Sequence, residues 1–474
     1  MIRKHSAPIG GPAPEGRFDR RLLAPMMVGS ILNPINTAII AVALTPIGLA
    51  LGAPARETVW LVSSLYLATA IGQPLVGRLV DIFGVRSLYL LGAVLVTAAG
   101  AIGLLAPENR DSIWWLVAAR VILGLGTCAG YPAAMHMIRA EGDRTGLASP
   151  AGILTLLSVT TQTIAVIAPA LGGVLVGAWG WRATFAVNVP LGLATLLLGA
   201  LFLPRWTGLE PAVEDRPRID GIGILLFAVT MLALLVFLQN IAPSLIWLLV
   251  LALGAGVAFV WWERRTPDPF IDVRVLSGNA PLLLSYVRSL LTATISYTFV
   301  YGFTQWLEDG RGLTPTVAGL VLLPVFAAGI AVALAFGRRP EVVGKLLVGS
   351  AAQLIAGILV LFMTGSSPIW FLVLAMLVLG IPQGLNNLAI QNSLYYQAEP
   401  ERIASSAGLL RTFFYLGAIV SSVIYGNVYG ARATTEGLHV LGWVVVGIAA
   451  VFLLLTVFDR SLARIGRDAP GTGD

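Results

Sequence analysis

The chain consists of long apolar runs separated by short segments that hold most of the charged residues. A bilayer core needs roughly 20 mostly apolar residues per helix, so each run predicts at least one transmembrane helix. Two runs are about twice as long, and turn residues at 240–244 and 365–368 divide them. Runs free of Asp, Glu, Lys and Arg cover 22–55, 58–77, 87–107, 121–138, 145–181, 183–204, 221–262, 312–337, 346–398, 412–431 and 437–458.

Two more segments complete the predicted spans. Segment 281–306 is expected to cross the membrane although it contains Arg288. The fourth span is expected to begin near Ile113, ahead of its charge-free run, and to contain Arg120. The pattern therefore predicts an all-α polytopic membrane protein with fourteen helices.

The composition agrees with this prediction. Of the 474 residues, 57% are hydrophobic and only 11% are charged, whereas a soluble globular chain carries about 25% charged residues. The mean hydropathy is +0.86. The low content of charged residues excludes a disordered chain. Cys128 is the single cysteine, which excludes a fold built on disulfides.

The distribution of Arg and Lys predicts the orientation of the chain. With the N-terminus in the cytoplasm, 22 of the 30 basic residues fall in cytoplasmic segments and five in external loops. The other three, Arg120, Arg288 and Arg411, lie within predicted helices. Because cytoplasmic loops carry the excess of positive charge, both termini are expected in the cytoplasm. The net charge of +6 thus follows from topology and does not indicate a nucleic-acid partner.

A glycine-containing motif lies between the second and third predicted spans. Residues 77–86 read Gly-Arg-Leu-Val-Asp-Ile-Phe-Gly-Val-Arg. Gly77 and Gly84 permit close helix approach and a tight turn, and Asp81 can cap a helix or pair with a nearby Arg. The segment, which ends at Arg86, resembles the GxxxDxxGxR loop signature of the major facilitator superfamily.

Other segments resemble the same family. Arg120 opens a stretch similar to its RxxxGxG motif, and 181–190 resembles the WRWxFxINxP entry to its sixth helix. Pro169, Gly172 and Gly173 resemble the end of its antiporter signature GPxxGG. With fourteen predicted spans, the chain resembles the fourteen-span drug:proton antiporter branch.

The resemblance implies a fold and a mechanism. Two six-helix bundles, with two helices inserted between them, would enclose a central cavity that opens alternately to each side of the bacterial inner membrane. It implies conformational gating by Gly77, Asp81, Gly84, Arg86, Pro169, Gly172 and Gly173. It divides the chain into a cytoplasmic N-terminal tail (1–21), a first bundle (22–204), cytoplasmic loops with inserted helices 7 and 8 (205–280), a second bundle (281–458) and a cytoplasmic C-terminal tail (459–474).

The first span departs from that branch. The branch has an acidic residue early in a motif that this chain matches at 35–46, where Asn36 stands instead. An amide does not titrate, so Asn36 cannot carry a proton. The charges within predicted helices are all Arg, so we expect a positive cavity that favours a neutral or anionic substrate. Carboxylates are expected only at helix ends or in loops: Asp81, Asp220, Glu263, Glu308, Asp309, Glu341 and Glu399.

Polar side chains within the spans are the candidate lining of this cavity. Gln383, Asn387 and Gln391 recur every four residues on the twelfth span, and amides are costly where they face lipid. They are expected either to line the cavity or to hydrogen-bond between helices. The full candidate set is Asn33, Asn36, Arg120, Gln162, Tyr301, Gln305, Gln383, Asn386, Asn387, Gln391, Arg411 and Tyr415.

The three arginines within spans have different interpretations. Arg120 lies roughly 10 Å into its helix, where it either binds an anion, or modulates proton release, or hydrogen-bonds carbonyls of broken helices. Arg411 shares a helix face with Tyr415 and is expected to snorkel towards the cytoplasmic interface. Arg288 is also expected at the interface.

Three functional hypotheses remain open at this point. The leading one is a secondary transporter that exports a small drug-like compound or metabolite, with proton antiport as the family expectation and Asn36 as the argument against it. The second is an uncoupled or differently coupled carrier of a neutral or anionic solute. The third is a non-transporting membrane scaffold on the same fold. Short loops leave no room for an ATPase. No enzyme activity, cofactor or metal site is expected, and the protein is taken to be a monomer. The sequence does not identify a partner protein.

Overall fold

A computed structural model describes residues 19–145, 151–204, 219–276, 279–336, 341–398 and 403–464. Within these ranges the chain forms helices joined by turns and short connections. Most of the predicted tails 1–21 and 459–474, and the predicted helix-end residue Glu399, lie outside the described residues. The same holds for the side chains of Gly77, Asp81 and Gln162.

The longer helices are numbered here in chain order. They are α1 (Leu23–Ile39), α2 (Trp60–Phe83), α3 (Val85–Leu104), α4 (Ser112–Thr127), α5 (Gly130–Thr145), α6 (Ala151–Trp179), α7 (Asn188–Phe202), α8 (Gly221–Gln239), α9 (Ile246–Glu263), α10 (Ala280–Tyr297), α11 (Pro315–Phe336), α12 (Val343–Leu361), α13 (Ile369–Gln397), α14 (Ile403–Tyr429) and α15 (Thr435–Phe458). Two π-helical segments, Thr298–Phe303 and Trp306–Gly310, extend α10. Shorter helical segments are Arg20–Leu22, Ile40–Val42, Leu44–Leu51, Ala55–Thr58, Ala183–Ala186, Pro243–Leu245, Val273–Leu276 and Arg460–Arg464.

Helix ends follow the local sequence. Asp220 caps α8 by accepting a hydrogen bond from the backbone N–H of Gly223 at 2.8 Å, and Asn279 and Thr434 cap α10 and α15 in the same way. Gly84 separates α2 from α3 with φ +79°, a left-handed conformation that glycine adopts without strain. The tight turn predicted from the motif is therefore present.

Twelve spans in the described part of the chain are long and apolar enough to cross a membrane. They include both halves of each double-length run, so the predicted breaks near 240–244 and 365–368 are confirmed. The long helices outside these twelve spans are α6 and α10, the second of which carries Arg288 and several Ser and Thr residues. The chain is a multi-pass membrane protein, and the count of fourteen spans stays a prediction.

The helices pack into two groups. In the first group α1 packs on α6, α2 on α4, and α3 on both α4 and α7. In the second group α10 packs on α14, α11 on α13, and α12 on both α13 and α15. Helices α8 and α9 pack on each other, and α8 also touches α2 and α14. The groups meet through α6 against α11 and α2 against α14. The residue boundaries of the predicted domains stay a prediction.

Polar contacts between connections identify the two ends of the helices. One end carries Asp19 and Arg464, the limits of the described chain, and is called the terminal face. There Arg86 donates to the Leu203 carbonyl oxygen at 2.6 Å. The opposite end, called the distal face, carries the Arg110–Glu57 ion pair at 2.9 Å.

A buried ion pair joins α10 to the end of α15 near the terminal face. Arg288 Nη2 lies 2.7 Å from Asp459 Oδ2 and also donates to the Leu455 carbonyl oxygen. The Arg288 side chain is 0% exposed and that of Asp459 is 5% exposed. The expectation that Arg288 lies at the membrane interface stays a prediction, and the structure adds that its guanidinium has a buried partner inside the helix group.

Replacing Asp459 by Asn is expected to lower the free energy of unfolding by about 3 kcal/mol or more, because it leaves the Arg288 charge buried without its partner. Burial alone would raise the pKa of Asp459, but hydrogen bonds from Ser461 and Arg288 outweigh it and hold the pKa below 3.8. The stabilisation is therefore present above that pH and is lost as the pH falls through the lowered pKa. Thermal unfolding of the purified protein in detergent measures the effect.

The matched control is Asp272→Asn, which removes the carboxylate from a partly exposed pair with Arg274. Because exposed pairs contribute about 0–1 kcal/mol, this control is expected to unfold close to the wild-type temperature. Equal unfolding temperatures for both variants would contradict the assignment of a stabilising role to the buried pair.

Candidate functional site

The two helix groups are in direct contact across the distal half of the molecule. Where α6 meets α11, Thr316 Oγ1 donates to the Gly173 carbonyl oxygen at 2.9 Å. A Cβ atom on Gly173 would lie 2.5 Å from the Pro315 carbonyl oxygen. Where α2 meets α14, the hydroxyls of Ser63 and Ser422 are 2.7 Å apart. This approach leaves no room for a side chain at position 173.

More contacts seal the same half of the molecule. The backbone N–H of Ala55 donates to the Ala431 carbonyl oxygen at 3.1 Å. Gln305, a candidate cavity residue, is buried and its amide nitrogen lies 3.4 Å from Thr58 Oγ1. The conformation is thus closed at the distal face. Of the other candidate gating residues, Pro169 contacts Gly319 of α11, and Gly172 packs against Ile39 of the first group.

A cluster of five tyrosines lies at the inner end of this closure. The hydroxyls of Tyr66 and Tyr301 are 2.9 Å apart, and Tyr301 also donates to the Thr37 carbonyl oxygen at 2.7 Å. The Tyr297 ring stacks on that of Tyr301 with centroids 5.7 Å apart. The five residues, called the tyrosine cluster below, are Tyr66, Tyr297, Tyr301, Tyr415 and Tyr425.

Arg120 lies beside the tyrosine cluster, close to Tyr66, Tyr301 and Tyr425. Its side chain is 2% exposed. Nε donates to the Leu61 carbonyl oxygen at 2.8 Å and Nη1 to the Asn36 carbonyl oxygen at 3.2 Å. Of its interpretations, the geometry favours hydrogen bonding to helix carbonyls, since two of its three nitrogens are occupied in this way.

The amides of α1 form hydrogen bonds within the first group. Asn36 is buried and donates to the Asn188 side-chain oxygen at 2.6 Å and to the Leu32 carbonyl oxygen. Asn33 is half-buried and donates to Thr127 Oγ1 at 3.2 Å. In this conformation, therefore, Asn36 holds α1 to α7 and does not reach water.

Arg411 occupies a different environment from Arg120. It lies eight residues into α14, about 12 Å along the helix axis, and its side chain is nevertheless exposed. Its guanidinium carbon is 5.3 Å from the ring centroid of Tyr131, an exposed residue of the first group. Tyr415 and Tyr297 lie next to it. An exposed arginine of the second group thus lies against an aromatic ring of the first group, next to the tyrosine cluster. The place between Arg411 and Tyr131 is called the cleft below.

The amides of α13 divide between two environments. Asn386 is 0% exposed and its amide nitrogen donates to Thr292 Oγ1 of α10 at 3.3 Å, which is an interhelical hydrogen bond. Gln383 and Asn387 are half-buried, and Asn387 donates to the Gln383 carbonyl oxygen at 3.1 Å. Gln391 is exposed. The amides of α13 therefore lie on two faces of the helix. Asn386, on one face, bonds to another helix, whereas Gln383, Asn387 and Gln391, on the other, are half-buried or exposed.

The loop motif at 77–86 lies partly within the described residues. Arg86 uses both terminal nitrogens, which donate to the Leu203 and Ala200 carbonyl oxygens at 2.6 and 2.7 Å. It thereby fixes the end of α7 to the start of α3. The side chains of Gly77, Asp81 and Gln162 fall outside the described residues, so their predicted roles stay predictions.

Several residues around the cleft are absent from the candidates that the sequence suggests: Tyr66, Tyr131, Tyr297 and Tyr425. The spacing of Tyr297 and Tyr301 by one helical turn is a signal that a search for aromatic faces would find. Tyr66 has no such signal, because its hydroxyl partner is 235 residues away in the chain.

Two helix groups that close on one face around a buried polar cluster are an arrangement typical of membrane transporters. A family model, the Major Facilitator Superfamily, matches residues 26–422. The chain therefore belongs to the major facilitator superfamily, whose members carry small molecules across membranes.

Curated relatives cover most of the chain. An uncharacterized MFS-type transporter, YwoD of Bacillus subtilis (strain 168), is 31% identical over 92% of this chain and 96% of its own. The multidrug resistance protein Stp of Mycobacterium tuberculosis (strain CDC 1551 / Oshkosh) is 28% identical over 86% of this chain and 76% of its own. The tetracenomycin C resistance and export protein of Streptomyces glaucescens is 27% identical over 88% of this chain and 77% of its own.

Solved structures share the architecture. A crystal structure of the nucleoside transporter NupG aligns with a TM-score of 0.65 over 92% of this chain and 99% of that chain. The sequence identity is 12%, so this likeness concerns the fold alone.

Proposed function

We propose that this protein exports a small organic molecule, a drug-like compound or a metabolite, from the cytoplasm across the bacterial inner membrane by alternating access. In this proposal fourteen helices span the membrane in a monomer, and the terminal face, with both chain ends, is cytoplasmic. The observation that carries the proposal is the pairing of a hydrogen-bonded distal closure with the exposed Arg411 on the terminal side. Relatives named for multidrug resistance and for tetracenomycin C export support the direction.

The cleft favours a neutral or anionic substrate with an aromatic part. Arg411 is an exposed residue that supplies a positive charge, and Tyr131, Tyr297 and Tyr415 surround it with ring surface. A fixed positive charge attracts an anion and repels a cation, more strongly where the surroundings exclude water. Tyrosine rings stack on flat organic molecules, and their hydroxyls supply hydrogen bonds.

Inside-out membrane vesicles from cells that produce the full chain test the proposed transport. An acid-inside pH gradient is imposed, and the accumulation of a cationic, a neutral and an anionic fluorescent compound is compared. We expect accumulation of the neutral or anionic compound above the level in vesicles without the protein. Accumulation of the cation alone would contradict the assigned substrate class, and accumulation of none of the three would favour a non-transporting role.

Replacing Arg411 by Ala is expected to lower the apparent affinity for the anionic compound about tenfold, which corresponds to about 1.4 kcal/mol. The neutral compound is expected to move at nearly the wild-type rate, because it has no charge for the guanidinium to attract. Concentration dependence of uptake in the same vesicles gives both affinities.

The matched control is Arg432→Ala, which removes an exposed Arg at the distal face, just beyond the end of α14. It is expected to leave both affinities unchanged, whereas Arg411→Lys is expected to retain most of the anion affinity. If Arg411→Ala weakens the neutral and the anionic compound equally, the charge of Arg411 does not select the substrate.

A further inference from the structure

Glu308 differs from the other helix-end carboxylates in its surroundings. It lies in the π-helical segment Trp306–Gly310, two residues beyond the predicted span 281–306. The residue is 7% exposed, and both carboxylate oxygens are inaccessible to water and have no hydrogen-bond partner. The sequence correctly places Glu308 at a helix end, but gives no indication that it is buried.

The carboxyl group lies at the contact between the two helix groups. Its neighbour is the hydroxyl of Thr45, which belongs to the short helix Leu44–Leu51 of the first group. The Thr45 hydroxyl is itself buried without a hydrogen-bond partner. Trp306 and Leu307, both 0% exposed, precede Glu308 in the same segment. Glu308 is therefore part of the distal closure, and any separation of the groups there would expose it.

The charged groups around this segment are few. Helix α11 and the segment Leu44–Leu51, which face it from two sides, contain no Asp, Glu, Lys, Arg or His. Helix α15, which also packs against it, contributes Glu436, which is exposed, and His439, whose ring nitrogen lies 2.7 Å from the Met363 carbonyl oxygen. The preceding segment Thr298–Phe303 contributes only Tyr301.

The segment itself and the loop before α15 supply the rest. Asp309 accepts from the Ala433 N–H at 3.5 Å and lies 3.9 Å from the exposed Arg432. Its negative charge acts on Glu308 and disfavours ionisation there. Arg311 has one buried guanidinium nitrogen without a partner, and no nitrogen of Arg311 bonds to Glu308. Among the described residues, therefore, no positively charged group pairs with Glu308, and the Thr45 hydroxyl is the neighbouring group that favours its ionised form.

An ionised carboxylate without hydrogen bonds is strongly disfavoured in a buried site, so Glu308 holds a proton while the distal face is closed. We propose that Glu308 is a proton-binding site within the distal closure, and that loss of its proton opens this face. An ionised Glu308 becomes stable only when water, or the free nitrogen of Arg311, reaches it. This inference rests on the proposed alternating access and supplies a titrating group that Asn36 cannot provide.

The direction of the pH effect follows from the closed state. Burial raises the pKa of Glu308 well above its ordinary value of 4.5. The neighbouring Thr45 hydroxyl offsets a part of this effect, and the charge of Asp309 adds to it. In the open state the group is hydrated and its pKa returns towards 4.5. Below pH 4.5 Glu308 is protonated in both states, and the closed state has its full stability relative to the open state. As the pH rises from 4.5 to the raised pKa, the closed state becomes less stable relative to the open state. Above the raised pKa this difference no longer changes with pH.

Distances between spin labels on the distal face test the inference. The purified full chain, in lipid nanodiscs, carries Leu49→Cys and Ser366→Cys in a Cys128→Ala background. Both label positions are exposed, one on each helix group, and Cys128 is buried. Between pH 5 and pH 9 we expect a growing population at longer distance. Glu308→Gln, which is neutral at every pH, is expected to stay at the short distance throughout.

Asp309→Asn is the matched control, because it neutralises the adjacent carboxylate and leaves Glu308 in place. It is expected to retain the pH response. If Glu308→Gln responds to pH as the wild type does, the inference is wrong. If Glu308→Gln folds poorly, the labelled protein that retains Glu308 still tests the inference. Label distances in that protein that do not change between pH 5 and pH 9 would overturn it.

No substrate enters this measurement, so its outcome is separable from that of the transport assay. A chain that exports the anionic compound but has pH-independent distances contradicts the role of Glu308 alone. A chain that opens with pH but moves none of the three compounds contradicts the proposed function alone.

Discussion

Valine at position 173 is expected to reduce export to the level of vesicles without the protein. A Cβ on Gly173 would lie 2.5 Å from the Pro315 carbonyl oxygen and 2.8 Å from the Thr316 Cα atom, both on the backbone of α11. Backbone atoms cannot rotate away as a side-chain end does, so α6 and α11 must separate. Because alternating access requires the distal face to close in each cycle, a protein that cannot close it cannot complete transport.

Two measurements check this expectation. Uptake into inside-out vesicles gives the loss of export, and the spin-label distances at pH 5 are expected to be long in Gly173→Val and short in the wild type. Gly254→Val is the matched control, because nothing lies within 4 Å of a Cβ at that position in α9. Wild-type export by Gly173→Val, with normal protein levels in the membrane, would show that closure does not depend on this contact.

Much of the fold follows from the sequence, because the bilayer restricts the choices. A spanning segment must satisfy its own backbone hydrogen bonds, so a long charge-free run becomes a helix. Of the fourteen predicted spans, twelve are present in the described residues as helices long and apolar enough to cross a membrane, and so are the two turns that divide the double-length runs. The break of the fourth span into α4 and α5 is not predictable in this way. It coincides with Gly130, whose Cα packs against the backbone of Gly29 in another helix.

The sequence predicts which types of residue form the candidate site, but it does not predict which residues they contact. The sequence correctly selects Arg120 and Asn36 as polar groups within spans, but it does not indicate that the Asn36 carbonyl oxygen accepts from Arg120. Glu308 is the clearest case, because its buried carboxyl group lies next to Thr45, which is 263 positions earlier in the chain. A one-dimensional pattern of charged positions carries no information on such contacts. The sequence thus places Glu308 correctly at a helix end, but it cannot indicate that this end is buried where the two helix groups meet.

Replacing Arg120 by Met is expected to abolish export of neutral and anionic compounds alike. The guanidinium ties the Leu61 carbonyl oxygen of α2 to the Asn36 carbonyl oxygen of α1, next to the hydroxyl pair of Tyr66 and Tyr301. Met fills a similar volume but donates no hydrogen bond, so both links are lost and the free energy of unfolding falls by about 1–3 kcal/mol. Uptake of both compounds and thermal unfolding in detergent measure the two effects.

The contrast with Arg411 separates a structural arginine from a substrate-binding one. Arg411→Ala is expected to impair the anionic compound selectively at an unchanged unfolding temperature, since Arg411 is an exposed residue whose guanidinium lies over the Tyr131 ring. Arg120→Met is expected to impair both compounds and to lower the unfolding temperature. Arg120→Lys is the control, because an ammonium group retains the charge but cannot reproduce the two-carbonyl fork. Full anion export by Arg120→Lys, with neutral export unaffected by Arg120→Met, would instead identify Arg120 as the anion-binding charge.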